Sequence, residues 1–315
     1  MELLTSSGCG DCDQHRSGDN RRPITRMGCD SQLSSISSVG FERQRSGGWR
    51  HLRGIERTAT LLTAFTSAQI DTLRDIRLFR LDKKRILVVS CDSAGAIGPK
   101  PIDRIRVSGY VVGKFTARVA LMEALSVGAL PFCVVVTLSV EPKPTGTEVL
   151  RGIRSELSYA SLRPPTMLQS TEKNFQVKQT GVGVTVLSFA SPQSLRIKKC
   201  KRGDVVMAIG MPLLGKEVLA AERQKEISTT RDVRRLLKIP FVHEIIPVGS
   251  HGILKEARTL ARDSRLRFRL LSEFDFDVAK SAGPATVTLI ALPSSKSKLL
   301  GKAFGKRVSL IGMLH

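Results

Sequence analysis

From about Asp71 to the carboxy terminus, short β-branched runs alternate with stretches of helical apolar spacing. That alternation constrains the fold more than any other feature, because strands and helices taking turns are buried together in layered α/β architectures. Ile76 to Arg80 alternates apolar and polar residues, and Lys84 to Cys91 carries the apolar run Ile86-Leu87-Val88-Val89. Val111 to Val127 places Val112, Phe115, Val119, Met122 and Leu125 three and four residues apart, the stripe of an amphipathic helix. Gly128 and Pro131 end it. Phe132 to Val140 reads as a strand, Thr145 to Tyr159 as a helix on Val149, Ile153 and Leu157, and Gly181 to Phe189 as a strand. The pattern β-β-α-β-α-β predicts a mixed α/β domain over residues 70–196.

The polar break Lys198-Lys199-Cys200-Lys201-Arg202-Gly203-Asp204 separates this domain from a second one over residues 200–315. There Val205 to Gly210, His243 to Pro247, Leu266 to Leu271, Ala285 to Leu292 and Val308 to Met313 are expected strands. Thr230 to Leu237 and Gly252 to Arg262 are expected helices. Residues 1–65 are Ser-, Gly- and Arg-rich without hydrophobic period, a composition that cannot bury enough apolar surface to offset chain entropy. They read as a disordered extension. Within it Cys9-Gly10-Asp11-Cys12 has metal-like spacing but no second such pair.

The formal charge of +22 on 315 residues favours polyanionic partners without choosing among them. One Trp and two Tyr make a poor stacking platform, which argues against nucleic acid as the partner. No stretch has the ~18 apolar residues of a membrane span and Met1 to Leu4 cannot form the apolar core of a signal peptide, so a cytoplasmic protein is expected. Six cysteines are too few for a disulfide scaffold; Cys91, Cys133 and Cys200 read as packing residues.

The chemistry concentrates after the strand ending at Val89. Asp92, Gly95, Gly98 and Lys100 place a carboxylate at a strand end, glycines that admit phosphate oxygens close to backbone, and a cation. Downstream, Glu123 stands on the last turns of a helix just before Gly128-Ala129-Leu130-Pro131.

This order of motifs resembles the aminoimidazole ribonucleotide synthetase (PurM-like) superfamily. Asp92-x-x-Gly95-x-x-Gly98-x-Lys100 stands for its D-G-x-G-x-K motif, and Glu123 with Gly128-Ala129-x-Pro131 for its D-I-x-A-x-G-A-x-P motif. Gly152-Ile153 resembles its G-I helix, Gly203-Asp204 the opening of its carboxy-terminal domain, and Ser250-His251-Gly252-Ile253-Leu254 its S-D-G-G-L turn. Cys91-Asp92-Ser93, Ser170-Thr171-Glu172-Lys173-Asn174-Phe175 and His243 to Ser250 look most like the alpha-ribazole kinase branch. Gln169 and Lys173 depart from it, standing where the branch has Gly and an acidic residue.

The resemblance implies a two-domain fold of mixed sheets, dimeric through the amino-terminal sheets. It implies transfer of the ATP γ-phosphate to the nucleoside alpha-ribazole, a step in cobalamin salvage. In that reading Asp92, Glu123 and Glu172 are catalytic and hold Mg²⁺. Gly95, Gly98, Lys100, Thr171 and Asn174 bind ATP, and Ser250 and His251 bind substrate. Other superfamily chemistries, thiamine-monophosphate kinase or selenophosphate synthetase, are the neighbouring alternatives. A non-catalytic basic nucleotide- or nucleic-acid-binding protein is the alternative of a different class.

Overall fold

The computed structural model describes residues 70–271, 273–300 and 303–315. The amino-terminal extension and its Cys9–Cys12 pair lie outside the described residues.

The first sheet has six strands. β1 (Ile70–Leu73) and β2 (Ile76–Arg80) form a hairpin, and β3 (Ile86–Gly95) follows. Next come helix α1 (Gly109–Ser126), β4 (Leu130–Leu138), helix α2 (Thr147–Tyr159), β5 (Thr166–Thr171) and β6 (Gly181–Ala190). The spatial order is β1-β2-β3-β6-β4-β5. β4 and β5 pair in parallel, while β6 is antiparallel to both β3 and β4. Strands β3, β4 and β5 therefore all point their carboxyl ends the same way.

The helices cover one face of this sheet. Val88, Val134, Val136, Val184 and Val186 point toward them and are buried, and Ser90 Oγ donates 2.7 Å to the Ala120 carbonyl. α1 and α2 touch backbone to backbone, and glycine makes that possible. A Cβ on Gly113 would stand 2.1 Å from the Val149 oxygen, and one on Gly152 would stand 2.0 Å from the Tyr110 oxygen. The Gly152-Ile153 motif is thus a helix-packing device, with Ile153 fully buried beneath it.

β3 runs further than its sequence suggests. Ser90 to Gly95 pair residue by residue with Val186 to Gly181, so Asp92 lies inside the strand, opposite Val184, and not in the turn that follows it. The glycine-rich turn starts only after Gly95.

The second half adds β7 (Asp204–Gly210), α3 (Glu217–Arg223), α4 (Thr230–Leu237), β8 (Glu244–Val248), α5 (Gly252–Asp263), β9 (Phe268–Leu270), β10 (Val287–Pro293) and β11 (Val308–Leu314). Its sheet has the order β8-β10-β7-β11-β9, all antiparallel. The two halves share one hydrophobic cluster, in which Leu121 and Val149 meet Val205, Val233 and Leu236.

A buried polar joint crosses the same boundary. Arg118 Nε and Nη2 donate to Glu156 at 3.1 and 2.9 Å, and Thr230 Oγ1 donates 2.9 Å to the same carboxylate. Arg118 Nη2 also reaches Glu222 at 2.7 Å. Arg118 and Glu156 are 1% and 0% exposed, so their charges depend on each other.

The face of the first sheet away from the helices is apolar and open. Phe79, Leu87 and Phe189 stand in register across β2, β3 and β6. Phe189 stacks on Phe132 with ring centroids 4.4 Å apart. Cys91 also lies on this face and is exposed, which corrects its reading as a packing residue. No described helix is long and apolar enough to cross a membrane.

Candidate nucleotide cleft

Most of the expected ligand-binding positions converge at the carboxyl ends of β3, β4 and β5. Loops that leave parallel strands at one end meet there, and the amino terminus of α1 ends among them. After β3, Ala96 adopts φ 58° and Gly98 φ 153°. A Cβ on Gly98 would stand 2.3 Å from Thr180 Oγ1, so only glycine fits. Asp103 fixes the loop: its carboxylate accepts from Lys100 N–H (2.8 Å), Thr180 N–H (2.8 Å) and Thr180 Oγ1 (2.7 Å). The turn is therefore preformed, with its backbone held against the first residues of β6.

Lys100 ends that loop and pairs with Glu141, which follows β4. Glu141 Oε1 in turn accepts from Thr145 Oγ1 at 2.6 Å and Thr145 N–H at 3.3 Å. Burial pushes the Glu141 carboxyl up, but the bonds from Lys100 and Thr145 outweigh it and hold the group below its usual range. Glu141 is a site residue that the sequence reading did not select. Its tie to Lys100 spans 41 residues and no local spacing signals it.

One residue beyond Glu141 a cleft of about 560 Å³ opens. Pro142, Lys143, Thr147 and Leu150 form one wall, and Gln169 to Asn174 form the other. β5 delivers Thr171 and Glu172 to it, and Glu172 N–H donates 3.0 Å to the Leu138 carbonyl at the end of β4. Glu172 Oε1 accepts from Asn174 N–H (2.7 Å) and Phe175 N–H (3.2 Å). These bonds hold its carboxyl below the usual range and shape the turn at Lys173. Gly95, Gly98, Lys100, Thr171, Glu172 and Asn174 thus all stand at this end of the sheet.

Asp92 and Glu123 do not join them. Along the ladder Asp92–Val184–Val136–Gln169, three strand spacings separate Asp92 from the cleft wall, about 14 Å. α1 runs antiparallel to β3 and β4, so Glu123 on its last turn lies over the strand starts. It is fourteen residues, about 21 Å, from the helix end near the cleft. Asp92 and Glu123 instead face Asp75 at the β1–β2 turn. Burial raises the Asp92 carboxyl to about 6, with a bond from Ser93 N–H opposing and Asp75 adding. Burial raises Glu123 to about 8; Asp75, Glu256 and Asp92 add to this, and Arg74 opposes it. Arg74 itself is spent on Glu244 and on Asp263 at 3.4 Å.

The expected Mg²⁺ cage of Asp92, Glu123 and Glu172 is therefore corrected. Among the described residues no three His, Cys, Asp or Glu side chains converge to hold a metal ion. The first two carboxylates face one another's neighbourhood and the third is committed to its own loop. Ser250 and His251 are also elsewhere. They are exposed in the turn before α5, whose Gly252 N–H donates to the Gly249 carbonyl at 3.4 Å, and neither lines the cleft.

Comparison with known proteins adds the fold. No family model matches the sequence, and no curated protein matches it. Solved structures do. AaThiL in complex with AMPPCP and TMP aligns with TM-score 0.54 at 15% identity over 84% of this chain and 90% of its own. The chain has a PurM-like fold. The thiamine-monophosphate kinase of Stenotrophomonas maltophilia K279a aligns with TM-score 0.51 at 15% identity over 82% of this chain and 92% of its own. Hydrogenase maturation protein HypE in complex with ATP gives TM-score 0.54 at 15% identity over 72% and 76%. The resemblance in the motifs and the likeness in the coordinates point to the same superfamily fold, while the alpha-ribazole branch rests on the motifs alone.

Proposed function

We propose that the protein is an ATP-dependent phosphotransferase acting on a small molecule, with the nucleotide phosphates at the carboxyl ends of β3, β4 and β5. The observation that carries this reading is that the rigid Gly98–Lys100 turn is tied through Lys100 to Glu141, one residue short of the cleft walled by Pro142, Lys143 and the Gln169–Asn174 segment. Structural neighbours solved with AMPPCP or ATP support it at the level of fold.

Phosphoryl transfer asks the protein for positioning and charge neutralisation more than for covalent chemistry. In this reading the Gly98 turn lets phosphate oxygens approach backbone, and Lys100 leaves Glu141 to meet a phosphate. Thr171 and Asn174 supply hydroxyl and amide contacts. Glu172 holds the loop that presents them. Among the described residues the carboxylates form no Mg²⁺ cage, and no step is assigned to one.

Two acceptors compete. The stretches Cys91 to Ser93, Ser170 to Phe175 and His243 to Ser250 favour the ribose hydroxyl of alpha-ribazole. The thiamine-monophosphate kinase neighbours favour thiamine monophosphate, although the paired-Asp motif expected of that enzyme after its first strand is absent from this sequence. Incubating the protein with ATP and each acceptor, with mass-spectrometric detection of the phosphorylated product, decides between them. Product with neither acceptor nor selenide, together with salt-sensitive nucleic-acid binding, would favour the basic binding protein instead.

The same reading includes a homodimer through the first sheet. An open face carrying Phe79, Leu87, Phe132 and Phe189 supports this, since contiguous apolar surface of this kind is normally covered.

A further inference from the structure

The departure at Lys173 has a counterpart across the cleft. Lys143 stands on the opposite wall, in an extended backbone conformation (φ −137°, ψ 138°) that interrupts the turn between β4 and α2. Both lysines are exposed, and neither appears in a described ion pair. The one carboxylate lining the cleft, Glu172, already accepts two backbone N–H groups. The remaining polar lining is hydroxyl and amide: Thr147, Gln169, Ser170, Thr171 and Asn174. Two lysines on opposite walls, hydroxyl and amide side chains between them, and a single carboxylate whose Oε1 already takes both loop N–H groups make a donor set for an anion, while one carboxylate with one uncommitted oxygen is a poor cage for a divalent cation.

We infer that Lys143 and Lys173 clamp a phosphate-bearing anion in this cleft without the help of a divalent metal. The inference rests on the phosphotransferase reading for the identity of the ligand, and it replaces the expected metal contact in the cleft by direct lysine contact. Phosphate could reach the cleft as the polyphosphate chain of a nucleotide or as a phosphomonoester. The shared chemistry is a phosphate dianion met by two ammonium groups, each acting as a point charge with three donors.

The test is isothermal titration of the full chain with tripolyphosphate and, separately, with ribose 5-phosphate, both in excess EDTA. Tripolyphosphate binding in EDTA that is weakened at least ~10-fold by Lys143→Glu and by Lys173→Glu, and retained by the Arg variants, supports the clamp on a polyphosphate. The same pattern with ribose 5-phosphate alone assigns the clamp to a phosphomonoester. Lys296→Glu, an exposed lysine of the second half, controls for the net charge of +22. Equal weakening by Lys296→Glu would reduce the effect to non-specific attraction and overturn the inference.

ATP turnover with Mg²⁺ is measured on the same proteins. Turnover without any binding in EDTA overturns the clamp and leaves the phosphotransferase standing. Lysine-dependent binding in EDTA with no turnover on any acceptor overturns the phosphotransferase and leaves the clamp.

Discussion

Replacing Arg118 by Met removes the cation from a carboxylate that is 0% exposed. Glu156 would keep only the 2.9 Å bond from Thr230 Oγ1, and its charge would be buried without compensation. Breaking one side of such a pair typically costs about 3–5 kcal/mol. The value here belongs at the upper end, because the guanidinium makes two bonds to Glu156 and one to Glu222. It also stacks 4.7 Å from the Phe115 ring. One feature pulls the other way: Arg118 Nη1 is buried with no partner, and the substitution removes that cost. Glu156→Gln should cost less, since the amide still accepts from Thr230. The double variant Arg118→Met/Glu156→Leu should recover part of the loss, because no charge is left behind. Urea denaturation of the wild type, Arg118→Met, Glu156→Leu and the double variant, read as a double-mutant cycle, measures this. A single Arg118→Met loss below about 1 kcal/mol, or additive losses in the double variant, would refute the argument that this joint pins the two halves together.

Other outcomes follow from the same geometry. Gly98→Ala should lower ATP affinity at least ~10-fold by titration, because its Cβ would meet Thr180 Oγ1 at 2.3 Å and dislodge the turn. Glu123 has a carboxyl raised from its ordinary 4.5 to about 8, so the native state holds a proton that the unfolded chain has released. Stability should therefore fall as pH rises from about 4.5 to 8, and Glu123→Gln should flatten that slope in thermal melts taken across the window. Phe132→Ser with Phe189→Ser should convert a dimer to monomers in analytical ultracentrifugation with the fold retained; a wild-type chain that sediments as a monomer would remove the sheet-face dimer.

The periodicity of the chain carried most of the fold. The strand at Ile76–Arg80 and the helix at Thr230–Leu237 stand where their patterns predict, because burial on one face is written directly into residue spacing. The end of β3 was not legible. Beyond the expected strand end at Cys91, Asp92-Ser93-Ala94-Gly95 is small and polar and reads as a turn, yet it pairs with β6, where Gly181 and Gly183 stand opposite. Ile70–Leu73 is too short to show a period, and its strand exists because β2 is there to pair with it.

In the site, glycines and lysine after β3 were visible as a motif, whereas the grouping of carboxylates was not. Motif order says that Asp92, Glu123 and Glu172 follow one another; it does not say that α1 runs back over the sheet and carries Glu123 away from the cleft. Glu141 escaped for a similar reason, since its partner Lys100 is brought to it only by strand pairing. Cys200, in contrast, matches its reading as an inert thiol: burial pushes it well above the usual thiol range and the Glu244 carboxylate adds to that.

The structure of the full chain bound to AMPPCP tests the central claim most directly. The account predicts the phosphates between the Gly98–Lys100 turn and the Gln169–Asn174 wall, with Lys100 moved off Glu141. Phosphates seated instead against Asp75, Asp92 and Glu123, or AMPPCP that does not bind at all, would contradict it.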